Sequence, residues 1–81
     1  MTNRKVQAYV FVDTSNPGPR RVVQEIRKLG GVVRADALLG EPDVVALVEG
    51  EDIASMDAVI DRIAEIDGVV DTESKVVRWI D

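Results

Sequence analysis

At 81 residues the chain has room for one domain, and a domain of this size buries only roughly 60–65% of the surface its unfolded chain exposes. There is no cysteine and no histidine, which excludes disulfides, thiolate metal sites and imidazole acid–base chemistry. The net charge is −5, with one Phe, one Tyr and one Trp, so the basic footprint and stacking aromatics of nucleic-acid binders are missing.

A hydrophobic share of 46% is high for so small and charged a chain. Self-association is the stabiliser that remains. No positively charged leader precedes an apolar core, so no signal peptide is expected. No apolar run approaches the ~20 residues that span a bilayer. A soluble cytoplasmic protein, with no membrane partner, is the expectation.

Residues 1–5 form a polar start, expected to fray. Residues 6–12 are β-branched and aromatic and read as a first strand. Val6, Ala8, Val10 and Val12 point one way, Gln7, Tyr9 and Phe11 the other. Both faces are largely apolar, so both need a cover. Helices supply one. Nothing within the chain supplies the other, which carries Tyr9 and Phe11.

Turn chemistry follows, and Asn16 before Pro17 suits a helix cap with proline in the first turn. The first helix runs to about Leu29, with Val22, Val23, Ile26 and Leu29 as its apolar stripe. Arg20, Arg21, Arg27 and Lys28 fall off that stripe. They read as a solvated face, with an anion patch as the functional alternative. Gly30 and Gly31 end the helix.

Residues 32–39 are a second strand, with Arg34 and Asp36 on one face and Val33, Ala35, Ala37 and Leu39 on the other. The corner Gly40-Glu41-Pro42-Asp43 turns the chain over four residues. Gly40 takes angles closed to other residues, Pro42 fixes its own φ, and Asp43 can accept from nearby amides. The corner reads either as a simple hairpin turn or as a place where two carboxylates and a flexible glycine meet a small ligand.

Residues 44–48 are apolar on both faces and therefore a central strand. Asp52 is a plausible cap for a second helix over residues 53–67. Its buried side is Ile53, Met56, Val59, Ile60, Ile63 and Ile66. Asp57 and Asp61 lie one turn apart. Without histidine they read as a solvated face rather than a metal pair, so no metal or cofactor is expected. Gly68 stops this helix. Residues 69–80 form the fourth strand, polar in its first half and apolar from Val76 to Ile80.

The order is strand, helix, strand, strand, helix, strand, and it repeats. Gly31-Val32-Val33 recurs 37 residues on as Gly68-Val69-Val70. The same offset carries the first helix stripe onto Val59, Ile60, Ile63 and Ile66, and Val10 and Phe11 onto Leu47 and Val48. Two βαβ halves of this kind predict a ferredoxin-like α+β fold, βαββαβ, with a four-stranded antiparallel sheet and two helices on one face.

The chain resembles the ligand-binding effector domain of the Lrp/AsnC regulators, the RAM domain. The resemblance covers roughly residues 6–80. It is carried by Ala8-Tyr9-Val10-Phe11-Val12, by Gly40-Glu41-Pro42-Asp43 in place of a Gly-x-aromatic-Asp corner, by Ile66-Asp67-Gly68-Val69, and by Thr72 and Ser74 at the start of the last strand. Pro42 stands where the family has an aromatic, and Asp67 where it has proline.

That resemblance implies a dimeric α/β sandwich packed through the faces bearing Tyr9, Phe11 and Trp79, and dimers joined into a ring. It implies an amino acid or related effector bound between dimers, against the corner loop. Gly40 and Asp43 match the motif, and Leu39, Glu41, Thr72 and Ser74 are candidates by position. The family's N-terminal helix-turn-helix does not fit in five residues. A stand-alone, non-enzymatic sensor that acts through a full-length relative, with no direct DNA contact, is therefore expected. The rival readings are a cofactor-free dimeric α/β-barrel oxygenase or isomerase, which needs a walled cavity between sheet and helices, and a purely structural oligomerisation module.

Overall fold

The β-branched runs become strands and the aliphatic stripes become helices. The computed structural model describes residues 4–16 and 18–80. Their order is β1 (Val6–Thr14), α1 (Pro19–Arg27), β2 (Val32–Ala37), β3 (Val44–Gly50), α2 (Ile53–Ala64) and β4 (Val69–Val76). The strands form one antiparallel sheet in the order β2-β3-β1-β4. This is the ferredoxin-like α+β fold.

Strand alternation sends Ala8, Val10 and Val12, with Val44, Ala46, Val48 and Ala35, toward the helices. They meet Val22, Val23 and Ile26 of α1 and Met56, Val59 and Ile63 of α2. Ile26 and Ile63, equivalent in the repeat, are both fully buried. No polar or charged side chain of the described residues is buried. The layer between sheet and helices is a filled apolar core.

The other face of the sheet is open. There Tyr9 stands between Leu47 and Lys75, and Phe11 between Val45 and Glu73. Tyr9 is 46% exposed. No described part of the chain lies over this face, as the sequence led one to expect.

The repeat reaches the backbone. Leu29 donates to the Ile26 carbonyl and Val32 to that of Leu29. Ile66 and Val69 do the same to Ile63 and Ile66. Gly31 and Gly68 follow with φ of 90° and 100°, a conformation that favours glycine. These tight turns end the helices at Arg27 and Ala64, earlier than Leu29 and Asp67.

The first strands break the repeat. Val10 faces the core while Leu47 faces out. Residues 15–18 separate β1 from α1, whereas only Glu51 and Asp52 separate β3 from α2. A difference of one residue in step flips every side chain of a strand.

Other boundaries also shift. The cap of α1 is Gly18, with Pro19 in the first turn, not Asn16, and Pro17 lies outside the described residues. Asp52 caps α2 as expected. Its carboxylate accepts from the Ser55 amide at 2.8 Å, and its own amide donates to the Ser55 hydroxyl at 3.2 Å. The bond from the Ser55 backbone, then that from its side chain, lowers the Asp52 pKa.

In β2 a bulge between Val32 and Arg34 breaks the alternation and turns Val33 to solvent, 51% exposed. Ala37 and Leu39 are exposed as well, so Ala35 alone of its expected row is buried. β4 ends at Val76 rather than Ile80, with one further bond from the Val77 amide to the Gln7 carbonyl at 2.8 Å.

Residues 1–3 of the expected frayed start lie outside the described residues. Arg4 and Lys5 are engaged. The Arg4 guanidinium lies 4.9 Å from the Trp79 ring centroid, and Lys5 approaches Glu49 and Glu51 at 3.5 and 3.9 Å.

Candidate functional site

The corner between β2 and β3 is a loop of residues 38–43, longer than the expected four-residue turn. Its base closes through the Leu38 amide, which donates to the Asp43 carbonyl at 2.7 Å. Asp43 also fastens the loop to β1. Its carboxylate accepts from the Thr14 amide at 3.2 Å and from the Thr14 hydroxyl. Two hydrogen bonds to one charged acceptor make a strong local tie.

The tip of the loop is free. Leu39 is fully exposed. Gly40 has φ +113° with open space where a side chain would stand, so the backbone there can be approached closely. The Glu41–Pro42 bond is cis.

Glu41 and Pro42 border a hollow of about 380 Å³ on the open sheet face, whose other walls are Phe11, Asp13, Asp71, Glu73 and Lys75. That volume suits a small molecule. Four carboxylates surround one ammonium group, and Lys75 reaches Glu73 at 3.5 Å. Cationic groups are favoured here, with Lys75 as the counterpart for an anionic one. Among the described residues no group of three or more acidic side chains is placed to hold a metal ion.

The six expected ligand residues separate in space. Leu39, Gly40, Glu41 and Asp43 share the loop, but only Glu41 borders the hollow. The Asp43 carboxylate is engaged by Thr14. Thr72 and Ser74 pair with Val12 and Val10 and so belong to the rows on the helix side of the sheet. Asp13, Asp71, Glu73 and Lys75, which also line the hollow, were not among the expected residues. Period-two counting from Phe11 would have found Asp13, and the same count along β4 groups the other three.

A second hollow lies further along the open face, between Tyr9, Arg34, Asp36, Val45 and Leu47. Its polar wall is the Arg34–Asp36 ion pair. The hydrogen bond from Arg34 to Asp36 raises the arginine pKa further. Of the three residues expected at a dimer interface, Tyr9 and Phe11 stand mid-face on β1. Trp79 lies past the end of β4, half exposed under Arg4.

Residues 7–78 match the family model of the Lrp/AsnC ligand binding domain. The chain belongs to this family. Over 74 residues it is 31% identical to the HTH-type transcriptional regulator LysM of Saccharolobus solfataricus, a match that takes in 90% of this chain and 52% of LysM. It thus spans about half the length of that curated relative.

Among solved structures it is similar to TTHA0845 from Thermus thermophilus, at 25% identity and a TM-score of 0.85, with 94% of this chain and 96% of that one covered. It is also similar to the transcriptional regulator NMB0573 of Neisseria meningitidis, determined as an L-Met complex. There the identity is 26% and the TM-score 0.77, over 95% of this chain and 52% of the regulator. No helix of the described residues is long and apolar enough to cross a membrane.

Proposed function

We propose that this Lrp/AsnC ligand-binding domain is a non-enzymatic sensor. Its copies pair through the open sheet face, and the pair binds an amino acid or related small molecule beside the corner loop. The observation that carries this reading is the hollow itself. It lies on the same uncovered face as Tyr9 and Phe11, so a second copy laid over that face would roof it. A bound amino acid then finds carboxylates for its ammonium and Lys75 for its carboxylate. The filled core supports a binder rather than an enzyme, because it leaves no cavity between sheet and helices for a buried reaction site. A full-length Lrp/AsnC regulator is the natural partner through which such a sensor would influence transcription, by mixed assembly of like domains.

Native mass spectrometry with and without a pool of the twenty amino acids tests the proposal. The expected result is an even-numbered assembly that gains the mass of one amino acid per site and loses that gain in Glu41→Ala. An even assembly that takes up no ligand would leave a structural module. A bare monomer would overturn the reading altogether.

A further inference from the structure

The sensor reading leaves the basic residues of α1 unused. Residues 19–37 carry five of the ten cationic side chains and only two carboxylates, in a chain of net charge −5. Both carboxylates are taken. Glu25 accepts from Lys28 at 2.8 Å. Asp36 lies between two guanidiniums, with Arg34 hydrogen-bonded to one oxygen and Arg27 3.6 Å from the other.

At 100° per residue, Arg20, Val23, Gln24 and Arg27 fall on one face of α1. Against the β2 edge they form a groove of about 470 Å³, with Val23 and Ala37 as its apolar floor and Pro19 beside Arg20. That volume suits a small molecule. The concave wall and the apolar floor set this surface apart from a solvated helix face.

Arg27 is oriented in advance. Its Nε donates to the Ala35 carbonyl at 3.0 Å, which holds the guanidinium in place and leaves outer N–H groups for a guest. Arg20 and Gln24 make no side-chain hydrogen bond or ion pair with a described residue. Arg20 and Arg27 start about 10.5 Å apart along the helix axis, so a cation stands toward each end of the floor. No carboxylate lines the groove, and an ammonium group finds no partner in it. The corner hollow, with four carboxylates, has the opposite sign.

We propose that this groove binds a small organic dianion. One oxyanion group is held by Arg20 and Gln24, the other by Arg27, and an apolar chain between them lies over Val23 and Ala37. Guanidinium forks pair with carboxylate or phosphate oxygens through two parallel hydrogen bonds. The site is separate from the corner hollow, takes a ligand of different charge and does not rest on the sensor reading.

Four probes test this at low salt. Suberate is a straight-chain dicarboxylate, and a bisphosphonate of the same chain length replaces its oxyanions. Octanoate has the chain and a single charge, and inorganic phosphate has charge without a chain. Calorimetry gives the affinities and amide chemical-shift mapping gives the place. One of the two dianions should bind saturably, about tenfold or more tighter than octanoate or phosphate, and the tighter of the two identifies the oxyanion. The shifted amides should centre on Val23, Gln24 and Ala37. Affinity should fall as salt shortens the Debye length.

Arg20→Gln should weaken the dianion about tenfold, to the level of octanoate. Ala37→Phe fills the groove without removing charge and should abolish binding. Circular dichroism checks that both are folded, and Arg20→Gln, at an exposed position, carries the test if Ala37→Phe is not. No saturable binding of either dianion, equal affinity for inorganic phosphate, or wild-type affinity in a folded variant would overturn the proposal. So would shifts centred on Phe11 and Glu73, which would assign the anion to Lys75 in the corner hollow. Uptake of an amino acid at the corner is read separately, from Glu41→Ala, and stands or falls apart from these results.

Discussion

Replacing Tyr9 by Asp places a charge at the centre of the uncovered sheet face. A tyrosine offers roughly 200 Å² of surface, and Tyr9 is 46% exposed, so about 90 Å² per copy awaits a cover. At about 25 cal/mol per Å², covering that area is worth about 2 kcal/mol per copy. A self-complementary interface counts the residue twice, so the loss is about 4–5 kcal/mol, or about three powers of ten in Kd. Desolvating the new carboxylate adds to this. Sedimentation equilibrium over a wide concentration range measures the shift, with circular dichroism to confirm the fold. A folded Tyr9→Asp protein that dimerises with the wild-type Kd would refute the assignment of this face.

Three further substitutions test the tie under the loop and the turn at Gly31. Thr14→Val removes the hydroxyl bond to Asp43 while keeping the backbone one. It should cost about 1–2 kcal/mol, a fall in Tm of roughly 5–15 °C, and hydrogen exchange at the Leu38 amide should quicken. An unchanged exchange rate would mean that the loop is held elsewhere. Gly31→Ala puts a methyl 2.5 Å from Val59 and 3.1 Å from the Glu49 carbonyl at positive φ. Overpacking and left-handed strain together should cost about 2–4 kcal/mol. Gly40→Ala, with open space, should cost only about 1–2 kcal/mol. Urea midpoints for the pair should therefore rank Gly31→Ala as the less stable, and the reverse order would discredit the close approach of α2 to that turn.

The helices were legible in the sequence because their stripes are long and regular, although Ile53, expected on the buried side of α2, stands exposed at its first position. Val22, Val23 and Ile26, and Met56, Val59 and Ile63, were all named from spacing and all lie in the core. Asp52 was legible because its cap is local, three residues from Ser55. The strands were harder, since their faces are counted by twos and one extra residue inverts the count. Val33 was placed inward for that reason, and a bulge turns it out. The same sensitivity let Leu47 be matched to Val10 although they face opposite ways. The tie between Thr14 and Asp43 joins residues 29 apart. No local pattern announces such a bond, so the hold of the Asp43 carboxylate on β1 was not legible. The acidic wall formed by Asp13, Asp71 and Glu73 needs two strands in register before it exists.

The corner loop is stiff at its base and unconstrained at its tip. The base is held by Leu38, Asp43 and Thr14, while Leu39, Gly40 and Glu41 touch little else. On the function proposed above, stability and recognition are therefore written in different letters of the same short segment. Changes at the tip can alter what the domain prefers to hold without asking the core to compensate, and a stand-in such as Pro42 for an aromatic need not weaken the fold. In a lineage of domains built on this frame, substitutions can accumulate one tip residue at a time.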